Sequence, residues 1–283
     1  MQFHMSTAEF FAPDALAEEK ALARATHLAF AAHHDDLEIM AAGPILECFQ
    51  QTDKRFAGVI VTDGRGSPRD GLYKSFTDEE MRRVRFKEQR KAAVVGEYAA
   101  LAMLDYPSKA IKDGRDRRPA EDMAQLLRAA RPRAVFTHNL ADKHDTHVGV
   151  ALKVIEAVRS LPAELRPERL YGCEVWRDLD WMIDADKVAF DVSKHENLQA
   201  ALLGIFDSQI AGGKRYDLAT MGRRKANATY FASHGVDTAT GMNFAMDLTP
   251  LARDASLDPA AFAQGFITRF AEEVAERMRK LKG

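Results

Sequence analysis

The 283-residue chain predicts an α/β fold, a mostly parallel sheet with helices on both faces. Three observations carry that reading. Short apolar or β-branched runs alternate with segments of helical period, which is the pattern of strands joined by crossover helices. Each run ends abruptly in a polar turn, as buried parallel strands do where they open to solvent. Residues that are 46% hydrophobic and 29% charged have the composition of a water-soluble chain able to bury a full core. We expect one domain over 1–283, made of a helical arm (1–26), a core (27–210), a substrate-side loop region (211–257) and a terminal helix (258–283).

The elements follow in chain order. The Ala- and Glu-rich "DALAEEKALARA" makes 1–26 a helical arm or an oligomer contact. Strands are expected at "HLAFAAH" (27–33), "FAGVIVTDG" (56–64), "LAMLDY" (101–106), "AVFTHN" (134–139), "LYGCEVW" (170–176) and "KVAFDVS" (187–193), with helices near 38–52, 78–99, 119–130, 147–160 and 195–210. From 211 to 257 the chain is rich in Gly, Thr and Arg without a sustained period, and it reads as a substrate-side loop region, a functional loop or disorder. At the end, Phe262, Phe266, Phe270, Val274, Met278 and Leu281 form one apolar stripe, read as core packing.

Forty Lys and Arg against forty-two Asp and Glu leave a net charge of −2, so no basic field points to nucleic acid. A small-molecule substrate is the expectation, and a homo-oligomer is admissible. The two cysteines, Cys48 and Cys173, form no CxxC pair, which argues against a disulfide framework. Neither a signal-peptide core nor a run of roughly 20 apolar residues is present, so we expect no membrane span and a cytoplasmic location.

The chemistry concentrates in two turns. "AAHHDDLEIMAAG" (31–43) sets His33, His34, Asp35, Asp36 and Glu38 at the end of a central strand. A dinucleotide site would require G-x-G-x-x-G there so that the backbone could approach a pyrophosphate, whereas acids repel phosphates and suit a cation. His33 and Asp36, three apart, can converge on one ion or serve as a capping pair. "FTHNLADKHDTHVGVALKVIEAV" (136–158) repeats the design with His138, Asp142, His144, Asp145 and His147. Two strand ends of one parallel sheet can share a crevice, so His147 or His144 can complete the set.

"AHHDDLEI" and "HDTH" resemble the A-H-P-D-D-x-E and H-x-D-H signatures of the PIG-L, or LmbE-like, family of zinc-dependent N-acetylglucosamine deacetylases. The resemblance runs from about residue 27 to about 210 on a Rossmann-like layout. It implies that His33, Asp36 and His147 hold Zn2+, with another divalent ion admissible, that Asp35 is the general base, and that His144 stabilises the oxyanion and protonates the leaving amine. "RFKE" (85–88) matches the family's R-x-x-E, which makes Arg85 a substrate-binding candidate; a pair with Glu88 on the same helix is the alternative. His34 stands in the place of proline. Thr146 stands in the place of aspartate, leaving Asp145 and Asp142 as the acids within reach of the histidines. The activity implied is removal of an N-acetyl group from an amino sugar or its conjugate; hydrolysis of another small amide, or metal or sugar binding without turnover, are the alternatives.

Other stretches carry lesser expectations. "VTDGRGSPRDG" (61–71) reads as a turn with Asp63 as a substrate-binding candidate. "GGKRYD" and "GRRK" (212–225) read as a solvated loop in preference to a positive lid over a phosphorylated or acidic substrate. His234 and Asp237 are taken as loop residues, and one of Trp176 and Trp181 as a pocket wall.

Overall fold

In the computed structural model, which describes residues 1–283, eight strands form one sheet. They are β1 (Glu9–Phe11), β2 (His27–Ala31), β3 (Phe56–Thr62), β4 (Ala100–Tyr106), β5 (Ala134–His138), β6 (Arg169–Cys173), β7 (Lys187–Asp191) and β8 (Met242–Asp247). Their order across the sheet is β1-β4-β3-β2-β5-β6-β8-β7. The five central strands are parallel, while β1 and β8 run antiparallel to the strands beside them.

Period-two alternation builds the two faces. Leu28 and Phe30 of β2 enter one apolar cluster and Ala29 and Ala31 the other, so both faces of the central strand are covered. The small residues on the second side let a helix come close. Gly58 of β3 is one of them: a Cβ there would lie 2.5 Å from Leu37 Cδ1. From β2 the chain winds outward through β3 and β4, then returns to place β5 on the other flank of β2. The carboxyl ends of β2 and β5 therefore form the topological switch point, where an open α/β sheet leaves a crevice.

Several expectations need correction. The arm 1–26 is not wholly helical: Glu9–Phe11 pairs with β4 at the sheet edge, and the helix spans only Glu18–Ala23. The helix expected near 38–52 splits into Asp36–Met40 and Ala42–Cys48. Pro44 is the reason, since its ring would collide with the carbonyl of Met40 in an unbroken helix. Residues 211–257 are no loop: they hold a helix at Tyr216–Tyr230, the buried strand β8 and a helix at Thr249–Arg253. The period of the first is hidden because its buried face carries Thr220, Arg224 and Asn227 beside Ala228. "GRRK" thus lies on a helix. The terminal helix, Pro259–Lys282, packs by its first turns only; Phe266 is buried, Phe270 touches Trp181, and Met278 and Leu281 are exposed. Cys48 and Cys173 are buried free thiols. No helix is long and apolar enough to cross a membrane.

Candidate metal centre

The turn after β2 and the turn after β5 open at the same edge because the two strands are parallel neighbours. Each turn is closed by its own polar side chains. Asp36 Oδ2 accepts the His33 backbone N–H at 2.7 Å, and Asp142 Oδ1 accepts that of His144 at 3.0 Å. These bonds aim His33 and Asp36 from one side, and His147 on the first turn of the helix Asp145–Arg159 from the other.

Three donor atoms meet there. His33 Nδ1 is 3.2 Å from His147 Nε2 and 3.2 Å from Asp36 Oδ2, and His147 Nε2 is 3.3 Å from Asp36 Oδ2. Tetrahedral zinc with bonds of about 2.0–2.1 Å needs ligand atoms roughly 3.3–3.4 Å apart, so this triangle has the right edge for one ion and an open fourth position. Two imidazole lone pairs and a carboxylate oxygen this close repel unless a proton or a cation lies between them. The cluster can hold a metal.

Two more histidines adjoin the triangle, His144 close enough to share an ion with His33 and His147, and His138 with Asp36 and His147. His138 is fully buried and stacks on His147 at 3.9 Å between ring centroids. Its Nε2 accepts the Ala32 N–H at 2.8 Å, which occupies the lone pair facing Asp36. It backs the site from below. His144, 4.6 Å from the His147 ring and 5.0 Å from that of His33, lines the open side, and its Nδ1 has no partner.

The charges follow from burial and proximity. Burial alone would raise the Asp36 pKa, but charge and hydrogen bonding from His147 and His33 hold it well below the usual carboxylate range. Burial opposes protonation of His147, yet Asp36 and Asp142 outweigh it and lift the imidazole to about 9. His144 is pushed down to about 4, by burial first and then by His147 and His33. In the metal-free protein the proton on His147 thus occupies the place a cation would take.

Asp35 is held differently. It is buried, with a left-handed backbone at φ 93°, a conformation that costs a non-glycine residue about 1–3 kcal/mol. The helix Asp78–Val95 fixes it through two residues one turn apart: the Arg85 guanidinium donates to His34 O, and Gln89 Oε1 accepts the Asp35 N–H at 3.2 Å. Both polar groups of the 34–35 peptide are therefore gripped. Gln89 is anchored in turn by donating to Glu38 Oε1 at 2.8 Å, which also accepts the Tyr98 hydroxyl at 2.7 Å. Burial pushes the Glu38 carboxyl up to about 8. Burial likewise lifts Asp35 well above the usual carboxylate range, against the pull of Arg85, whose Nη2 lies 3.3 Å from its Oδ2. His34, in the proline place, packs its ring on Phe86 with neither nitrogen partnered. Gly64, at φ 67°, closes over it: a Cβ there would come within 2.9 Å of His34 Nδ1.

A cavity of about 430 Å³ opens on this centre, walled by His33, Asp35, Arg85, His144, Trp176 and Tyr216 among others. Arg85 faces Asp35 and does not pair with Glu88, which accepts instead from the backbone and hydroxyl of Ser208. Asp63 is not brought to the cavity; its carboxylate accepts the Arg65 N–H at 3.1 Å and pairs with that guanidinium, while Gly64, Gly66 and Ser67 form the wall. In place of the acid missing at Thr146, Asp142 lies 3.5 Å from His147 Nδ1, so it orients His147 and not the His144 ring. Trp176 is the tryptophan on the wall; Trp181 packs outside it on Phe270. Sequence reasoning passed over Gln89 and Tyr216, which carry no signal beyond an ordinary helical polar residue and a lone aromatic. His138 stood in plain view in the second turn, and its place inside β5 was the available sign of a buried role.

Residues 28–158 match a model of the PIG-L family, described as GlcNAc-PI de-N-acetylase. No curated protein matches the chain. Among solved structures, an N,N'-diacetylchitobiose deacetylase from Pyrococcus horikoshii is similar with a TM-score of 0.60 at 18% identity, over 77% of this chain and 82% of that one. A conserved protein from Thermus thermophilus is similar with a TM-score of 0.58 at 21% identity, over 77% and 93%. GalB, the 4-carboxy-2-hydroxymuconate hydratase of Pseudomonas putida, is similar with a TM-score of 0.60 at 15% identity, over 79% and 96%. At these identities the likeness is one of fold. The stretch that matches the PIG-L model, residues 28–158, holds both turns, the donor triangle and Arg85.

Proposed function

We propose that the chain is a zinc-dependent N-deacetylase that hydrolyses the N-acetyl group of an amino sugar or a conjugate of one. The observation that carries this reading is the triangle of His33, Asp36 and His147 beside the strained, buried Asp35, inside the segment that matches the family. Zinc held by those three side chains would supply a water whose pKa falls from about 15.7 toward about 7, together with a Lewis acid for the amide oxygen.

The residues do the rest. Asp35, its carboxyl held well above the usual range, is basic enough to take a proton from the attacking water at neutral pH. Arg85 keeps that carboxylate in one place, and the clamped 34–35 peptide prevents it from swinging away. His144 enters the reaction as a neutral imidazole and directs an N–H at the oxygen on which charge develops. The leaving nitrogen departs as an amine only when protonated; His144, pushed down to about 4, holds no proton to spare at neutral pH, so the role that the resemblance gives it passes to Asp35, which returns the proton it took. The cavity, with polar walls and the Trp176 ring, is of a size for a monosaccharide.

GalB, a hydratase on the same fold, makes water addition to an unsaturated acid the outcome to test against. Acetate release from N-acetylated sugars, measured with and without a chelator, decides between them. Chelator-sensitive release is the expected result; metal-loaded protein that releases none from any of them overturns the proposal.

A further inference from the structure

A second cavity, about 270 Å³, adjoins the first and shares Ile39, Val175, Trp176 and Tyr216 with it. The rest of its wall is unusually cationic. Lys143, Arg223 and Arg224 face it, Glu174 is its one acid, and Lys112 and Lys214 stand on the wall of the first cavity. In a chain of net charge −2, and leaving aside Asp36 and the Arg85–Asp35 pair, five cations gather here against the single carboxylate of Glu174.

These cations lack the partners that their neighbours have. Arg215 pairs with Asp217 and Lys225 with Glu196. Lys214 instead lies over the Trp176 ring at 5.1 Å, and Arg223 donates to the Val175 carbonyl. Arg224 is buried on Gln199 Oε1 and the Glu38 carbonyl, with its Nε unpartnered. Glu174, the one acid among them, forms no direct ion pair with any of the five: Oε1 accepts from Asn227 and the Phe244 N–H, and Oε2 from the Leu179 N–H. Asn243 Oδ1 is buried there without a partner, an acceptor open to a hydroxyl. A cleft walled by charges of one sign concentrates ligands of the other.

We propose that the substrate carries an anionic group, a carboxylate or a phosphate, seated against Lys143, Arg223 and Lys214, while its acetamide lies at the His33–Asp36–His147 triangle. This rests on the deacetylase reading. Trp176 joins the two places, lining both cavities, with its ring 6.3 Å from that of His144, so a sugar ring on Trp176 spans them.

The test compares N-acetylglucosamine, its 1-phosphate and N-acetylmuramic acid as substrates of the metal-loaded protein. We expect kcat/KM at least tenfold higher for one or both anionic compounds, with the advantage shrinking as salt rises and the two compounds separating phosphate from carboxylate. Lys143→Glu, at an exposed position, and the double variant Lys143→Ala with Arg223→Ala should reduce the ratio of anionic to neutral substrate to near one. Equal handling of all three by the wild type overturns the proposal. Should no compound release acetate, the deacetylase reading fails, and calorimetric binding of the same three to Asp35→Asn protein then judges the anion site by itself. Binding at least tenfold tighter for an anionic compound, lost in the double variant, upholds it; equal binding, or none, overturns it.

Discussion

The turns after β2 and β5 contribute the same chemistry to one centre, yet the protein holds them to very different standards. In the first, the 34–35 peptide is gripped at both its oxygen and its nitrogen by one helix, and a non-glycine residue is kept at positive φ. In the second, the backbone before the helix is ordinary, and the ring of His144 has no partner at Nδ1. On the proposed mechanism, rigidity falls on the residue that would take a proton at a fixed distance, and the ring that would answer developing charge keeps an uncommitted nitrogen.

The largest break in that comparison comes from Asp35→Asn. The variant should keep its metal while turnover falls by about 10²- to 10⁴-fold, the loss typical of a general base; steady-state rates paired with metal content check it. His144→Ala should cost less, on the order of 10²- to 10³-fold in kcat, as for one donor to a developing oxyanion. Equal losses in the two variants would erase the contrast between the turns. Asp142→Asn acts through His147, so metal affinity should weaken by roughly 10- to 100-fold, measured by competition with a chelating dye. Gln89→Leu leaves the Asp35 N–H and Glu38 without their shared partner. It should lower stability by about 1–3 kcal/mol in denaturant unfolding and reduce kcat more than KM, because Asp35 is no longer held.

A pH titration sharpens the same picture. His147 has its pKa raised from 6.5 to about 9 in the metal-free fold, so its stabilising proton is fully present below pH 6.5 and is lost as pH rises through about 9. Across that window the metal-free protein should lose thermal stability while zinc affinity climbs, since the ion no longer competes with a proton. A metal-free Tm that rises from pH 6.5 to 9 would contradict this assignment of His147.

How far the sequence could be read depended on what kind of signal each element leaves. β2 and β5 are short continuous apolar runs followed at once by ionisable turns, so both the strands and the crevice between them were legible; the residues pointed to His33 and Asp36, while the choice of His147 over His144 came only from the family resemblance. The edge strand Glu9–Phe11 is three residues long and owes its existence to β4, a partner that no local pattern reveals. Pro44 marks the helix break in the sequence itself, since a proline ring excludes the carbonyl four residues before it. Residues 211–257 misled because the buried face of the helix Tyr216–Tyr230 is polar, and a periodicity sought in apolar residues misses Thr220, Arg224 and Asn227. Within the site, the role of Asp142 depends on direction: two acids, Asp142 and Asp145, lay near the histidines in sequence, and only the path of the 139–144 turn selects the one that faces His147.

Metal content measured by elemental analysis on the wild type and three variants tests the central claim most directly. One equivalent of a divalent ion in the wild type, retained in Asp35→Asn and lost in both His33→Ala and His147→Ala, is the result expected if the two turns meet around a single cation. Full occupancy in either histidine variant would contradict it.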